Sequence, residues 1–293
     1  MEIIKYGLNF NKKCVMCLGY FDSIHKGHIE IIKKAKEYSN LNNILLGVII
    51  FTGGKNNSLD VFSLEERLVK LKLLNVDFVV YNELSQAFMK KTHKEFLDEL
   101  FNLYNIDCVI TGEDFTFGAK AFGNVKFLKK YCDDIGVKTI TLPKVLCNKG
   151  NKISTKTIKN ALLSGDIKLA NELLGSNYFI RGRIVKGKKL GSKLGFPTAN
   201  ILIDKSKLKI LEGVYLTLTI INDKLYPCLT NVGKQPTVNG ESFVVETYID
   251  GFSGDIYDKI ISVYFIEKIR DIIKFNNVDE LKNQLNEDLR WLK

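Results

Sequence analysis

Histidine is scarce in this chain. There are three in 293 residues, and two of them fall in one tetrapeptide, His25-Lys26-Gly27-His28. With no third histidine nearby and no suitably spaced cysteine pair, a zinc site has no support. Long apolar runs are missing too: none reaches membrane-spanning length. The opening MEIIKYGLNFNKK has neither the apolar core nor the cleavage site of a signal peptide, so a cytoplasmic protein is expected. The six cysteines form no disulfide framework. Cys14 and Cys17 make a CxxC, but within an apolar run that reads as a strand, where residues three apart face opposite ways. Reduced, mostly buried thiols are expected instead. No GxxxxGK[ST] phosphate loop occurs. The net charge of +10 comes from lysines spread along the whole chain. That pattern reads as a solvated basic surface suited to anionic substrates such as nucleotides, with no specific nucleic-acid patch.

What is present is an ordinary globular composition, 45% hydrophobic and 26% charged, at a length that suits two domains. Cys14 to Leu18 reads as a buried strand. A Gly-containing turn follows, then a helix with Ile29, Ile32, Ala35 and Tyr38 near helical spacing. His25 and His28 stand at its start. A helix N-terminus offers free N–H groups and a positive dipole end, which attract phosphate. Gly27 removes a side chain where a phosphate would approach, and histidines three apart lie on one side of a turn. Both can donate hydrogen bonds to an α-phosphate as charge builds in a transition state. The other reading, two surface histidines, leaves the strand-turn-helix setting without a reason.

Four more strands are expected at 44–51, 76–81, 107–111 and 138–142. Helices alternate with them, from Ser63 with a Ser63/Glu66 capping box, over Phe88–Leu103, and over Asn124–Tyr131. Such alternation predicts a Rossmann-like parallel sheet with its ligand beyond the carboxyl ends of the strands. A short helix ends at Gly175. From Ser176 helical periodicity gives way to short strands, so the domains are expected to be 1–175 and 176–293, the second a small β-barrel with a terminal helix over 278–291. Its first strand leads into a Gly- and Lys-rich loop, 186–195, and then Phe196-Pro197-Thr198-Ala199-Asn200. In an extended segment Thr198 and Asn200 point to one face, where their oxygens can hold a magnesium ion and a nucleotide phosphate. Paired strands are expected around Asn222-Asp223. Glu246 is conspicuous inside an apolar strand, FVVETYID.

GYFDSIHKGH resembles the G-x-F-D-x-x-H-x-G-H signature of the nucleotidyltransferase superfamily, most closely its FMN adenylyltransferase branch. Gly112 to Gly118 resembles that family's G-x-D-F-x-F-G loop, and Gly195 to Asn200 the G-x-P-T-A-N signature of riboflavin kinases. Both halves, in order, are similar to bifunctional riboflavin kinase/FMN adenylyltransferases. The resemblance implies two reactions: ATP plus riboflavin to FMN, then ATP plus FMN to FAD and pyrophosphate, with Mg2+ accompanying ATP. It implies catalytic roles for His25 and His28 in the first domain and for Glu246, as general base, in the second. It implies nucleotide binding by Gly19, Phe21, Asp22, Gly27, Asp114, Ser154, Thr155, Lys159, Gly195, Pro197, Thr198 and Asn200. Flavin contacts fall to Phe115, Phe117, Arg270 and Phe275. Two departures stand out. Phe51-Thr52-Gly53-Gly54-Lys55 occupies the place of the family's F-D-P-H-P, and Lys159 that of an arginine reaching the triphosphate, with Lys156 or Lys55 as candidate substitutes. They keep a second reading open, a monofunctional riboflavin kinase with an impaired first domain. A non-catalytic flavin- or nucleic-acid-binding regulator is a third. No pattern sets an oligomeric state.

Overall fold

A computed structural model describes residues 1–53, 59–147, 150–187, 195–237 and 240–292. The chain divides into two compact units, Met1–Thr155 and Lys156–Lys293.

The first unit runs β1 (Glu2–Lys5), β2 (Phe10–Cys17), α1 (Lys26–Asn42), β3 (Leu45–Thr52), α2 (Leu64–Leu73), β4 (Phe78–Glu83), α3 (Gln86–Met89), α4 (His93–Leu103), β5 (Tyr104–Gly112), β6 (Thr116–Phe117), β7 (Gly123–Asn124), α5 (Val125–Asp134) and β8 (Lys138–Leu142). Six strands form one parallel sheet in the order β1-β4-β3-β2-β5-β8. The strand period of two sorts β2 between two cores: Cys14 and Met16 on one face, Val15 and Cys17 on the other. Cys14 and Cys17 therefore cannot meet. All six cysteines are free and five are buried. Burial, with help from Asp107, pushes the Cys14 thiol up to about 12.

The Ser63/Glu66 capping box is present. Two features differ from expectation. The helix read over 88–103 is two helices, because Thr92 and Glu95 form a second capping box that starts α4 afresh. The edge strand β1 was not foreseen; four residues with one buried side chain carry too little pattern.

The second unit begins with α6 (Thr155–Leu163, its first residue closing the first unit) and α7 (Ile167–Leu174). The change of texture at Ser176 falls between α7 and β9 (Phe179–Val185), while packing groups the two helices with the strands of the second unit. Asn171 on α7 shows why: its side chain accepts the Tyr178 N–H at 2.7 Å and donates to the Phe265 carbonyl at 2.9 Å. Strands β9, β10 (Thr198–Ile201), β11 (Gly213–Ile221), β12 (Lys224–Thr237), β13 (Gly240–Ile249) and β14 (Ile260–Arg270) close a barrel in the order β10-β13-β12-β11-β14-β9. Asn222 and Asp223, at φ 51° and 61°, turn β11 into β12 as a two-residue hairpin requires. Inside, the hydroxyls of Thr217, Thr230 and Thr247 link across three strands at 2.7 and 2.9 Å, so no buried hydroxyl of the three lacks a partner. The terminal helix α8 (Val278–Asp288) ends earlier than expected, and a 3₁₀ turn carries Leu289–Leu292.

Two candidate active sites

A cleft of about 570 Å³ opens at the carboxyl ends of β2, β3, β5 and β8, marked by Leu18, Phe51, Thr111 and Leu142. The turn into α1 forms its floor. Phe21 and Ile24 hold left-handed φ of 49° and 43° and are wholly buried, so tertiary packing holds a backbone shape these residues resist alone. That turn delivers His25 as the N-cap of α1. Its Nδ1 accepts the His28 N–H at 3.3 Å, and the two imidazoles stack at 3.9 Å between centroids. A Cβ on Gly27 would stand 3.1 Å from the His25 ring, so glycine leaves room for the stack.

An accepting Nδ1 carries no proton, so neutral His25 keeps its proton on Nε2 as a donor. The ring stays neutral: burial pulls its pKa down to about 4, with Lys152 adding to the drop and Asp114 opposing it. Burial, then the adjacent His25, lowers His28 well below the ordinary range, and its Nδ1 is buried without a partner among the described residues. Asp114 and Lys152 form an ion pair over the cleft, and Lys144 lies 3.6 Å from Glu113. Burial opposes ionisation of Asp114, but the bond and charge of Lys152, with its own backbone N–H and the charge of Lys144, together outweigh it and hold the carboxyl below its usual range. Ser23 and Thr155 share a hydroxyl–hydroxyl bond of 3.0 Å.

On the barrel, Asn200 of β10 lies directly opposite Glu246 of β13, and Glu246 directly opposite Asn231 of β12. Ala199, Ile201, Thr230, Val232, Val245 and Thr247 are buried, so alternation turns Asn200, Glu246 and Asn231 to the outer face. The Asn200 amide packs on Gly187, where a Cβ would come within 2.2 Å of its Nδ2. Phe196 meets Tyr248 edge-on at 5.8 Å and ties the start of β10 to β13.

Residues 8–157 match the FAD synthetase family model, and 174–293 match the riboflavin kinase model. The curated bifunctional riboflavin kinase/FMN adenylyltransferase of Haemophilus influenzae is 30% identical, covering all of this chain and 98% of that protein. The chain belongs to the bifunctional riboflavin kinase/FMN adenylyltransferase family. The Bacillus subtilis member is 31% identical over 94% of this chain and 90% of its own. A crystal structure described as a macrolide-efflux protein from Streptococcus pneumoniae is 31% identical, with a TM-score of 0.87 over all of this chain and 99% of that one. Among the described residues, no helix here is long and apolar enough to cross a membrane.

Against the family's motifs, the first unit brings Gly19, His25, Gly27, His28, Asp114, Phe115, Phe117, Ser154 and Thr155 to one cleft. Two motif residues of the first unit do not line it. Phe21 lies beneath, its ring 4.7 Å from that of His28. Asp22 is 2% exposed, and its carboxylate accepts the Val61 N–H at 2.6 Å, as a buried carboxylate requires. Lys159 and Lys156 are on α6 in the second unit. Gly54 and Lys55 lie outside the described residues, as do residues 188–194 of the loop before Gly195. Gly195 and Pro197 are exposed beside Thr198. Arg270 grips Asp288 of α8 with two nitrogens, at 2.9 and 2.6 Å, and Phe275 is half-buried in the segment between them. Sequence reasoning missed Lys144 and Lys152. The signal was there: Pro143-Lys144 follow the last parallel strand at its carboxyl end, where ligands of such sheets sit.

Proposed function

We propose that this chain phosphorylates riboflavin to FMN on the barrel and adenylylates FMN to FAD in the cleft, with ATP the donor in both steps. The observation that carries the reading is the pairing of each family match with a site of fitting chemistry. The stacked His25–His28 pair caps a helix in the first unit, and an outward carboxylate lies between two amides in the second. The match boundaries fit activities divided between 1–175 and 176–293, with α6 and α7 joining them in sequence.

In the cleft, an oxygen of the FMN phosphate attacks the α-phosphorus of ATP and pyrophosphate leaves. His25 Nε2–H and the free N–H groups of α1 donate to the α-phosphate oxygens as charge accumulates. Lys144 and Lys152 neutralise phosphate charge, Asp114 takes a ribose hydroxyl, and Phe115 and Phe117, stacked at 5.3 Å, meet the flavin ring. On the barrel, Glu246 accepts the proton of the 5′-hydroxyl as its oxygen attacks the γ-phosphorus and ADP leaves. Thr198 and Asn200 offer two neutral oxygens on one face. That set fits Mg2+, which takes its remaining ligands from phosphate and water. The ion would offset phosphate charge. A cytoplasmic location is in keeping with six free thiols and the use of ATP.

The test is a product assay with purified protein, riboflavin, ATP and magnesium, and separation of the flavins. FMN and FAD together are expected. FMN alone would remove the adenylyltransferase half and restore the impaired-domain reading. No product at all would overturn both halves.

A further inference from the structure

We propose that Asn231 is a positioning residue of the riboflavin kinase site: it holds one oxygen of the Glu246 carboxylate so that the other meets the substrate hydroxyl. The proposal rests on the kinase reading of Glu246.

The geometry is a single cross-strand row. β13 lies between β10 and β12, and the register sets Asn200, Glu246 and Asn231 side by side on the outer face. Side chains directly opposite each other on an antiparallel pair have Cβ atoms about 5 Å apart, within reach of an amide-to-carboxylate bond. On the β10 side, the Asn200 amide is packed against Gly187. On the β12 side, Asn231 is the residue directly opposite Glu246.

The residue type fits the task. Asparagine is a poor strand former, yet it stands in the middle of the 14-residue β12, where packing alone gives it no reason to be. Its NH2 donates at every pH and carries no charge. A lysine or arginine at the same place would form an ion pair with Glu246 and drain the basicity that proton removal needs. A neutral donor fixes the carboxylate's orientation and leaves it a base.

The test is steady-state riboflavin kinase kinetics on Asn231→Ala, Asn231→Asp and Asn231→Ser, with Glu246→Gln and the double variant Asn231→Ala/Glu246→Gln. Trp291 fluorescence checks folding of the second unit, and FAD formation from supplied FMN checks the first. Loss of a donor to a carboxylate predicts a kcat about 10- to 100-fold lower for Ala and Asp, with KM values within about threefold. Ser, which keeps a donor, should fall between them and wild type. Because Asn231 acts through Glu246, the double variant should be no slower than Glu246→Gln alone. Wild-type kcat in Asn231→Ala beside a slow Glu246→Gln would overturn the proposal and leave the kinase reading standing. A double variant slower by the product of the single effects would also overturn it. Wild-type turnover in Glu246→Gln would overturn the kinase role of Glu246 and the proposal together.

Discussion

His25 has two jobs that one substitution can separate. Its Nδ1 caps α1 by accepting the His28 N–H, and its Nε2 presents a proton to the cleft. Asparagine is among the best N-cap residues, and its side-chain oxygen can take the place of Nδ1, but it has nothing at the Nε2 position. His25→Asn should therefore keep α1 within about 0.5 kcal/mol, whereas His25→Ala should lose about 1 kcal/mol with the cap. Both should slow FAD formation from FMN by about 100- to 1,000-fold, the usual loss when one donor to a developing oxyanion is removed. A pH signature goes with this. The ring's pKa is about 4 in the folded protein against an ordinary 6.5, worth about 3 kcal/mol at about 1.4 kcal/mol per pH unit. The unfolded chain takes up the proton first. This stabilisation is therefore fully present above pH 6.5 and fades as pH falls toward 4. His25→Asn should reduce that acid-side loss without removing it, since burial lowers His28 in the same direction. Hydrogen exchange of the α1 amides between pH 7.5 and 4.5 reads the first unit directly; the sole tryptophan, Trp291, lies in the second. Ring-nitrogen NMR, simple with three histidines, reads the tautomer. A His25 ring titrating near 6.5, or a His25→Asn variant with full FAD synthesis, would refute the reasoning.

Three further outcomes are expected. Lys152→Met should raise the KM for ATP in FAD formation about tenfold, since one cation over the cleft is lost, and leave FMN formation as it was; unchanged kinetics would remove Lys152 from the site. Gly187→Ala drives a Cβ to within 2.2 Å of the Asn200 amide, so FMN formation should drop at least about tenfold while FAD formation from supplied FMN holds; a normal kinase rate would show that Asn200 tolerates displacement. Arg270→Ala strands Asp288, whose side chain is 3% exposed, without its two-point partner, and should destabilise the attachment of α8 by about 3 kcal/mol. A lower urea midpoint of Trp291 fluorescence checks this, and an unmoved midpoint would mean that the ion pair contributes nothing there.

What could be read before the structure is what nearest neighbours decide. The histidine pair at a helix start, the Ser63/Glu66 box, the Asn222-Asp223 turn and the alternation of helices with apolar strands depend on residues a few positions apart. The break at Thr92 belongs with them: Thr92 and Glu95 are as plain a signal as Ser63 and Glu66. Burial and register are different, because they arise only when distant segments meet. Asp22 reads as a site carboxylate in a motif, but the fold turns it inward onto Val61. Lys144 and Lys152 belong to no motif, and the segment after β8 pairs them with Glu113 and Asp114, which follow β5. Arg270 finds Asp288 eighteen residues on, at the far end of α8. Asn200, Glu246 and Asn231 become one row only when β10 and β12 flank β13 in this register; a slip of one residue would turn Glu246 into the barrel. The sequence by itself determined which local shapes and chemical groups the chain owns. The tertiary structure decided which groups face each other, because a side chain's partner and its exposure to water are set by packing between segments far apart in the chain.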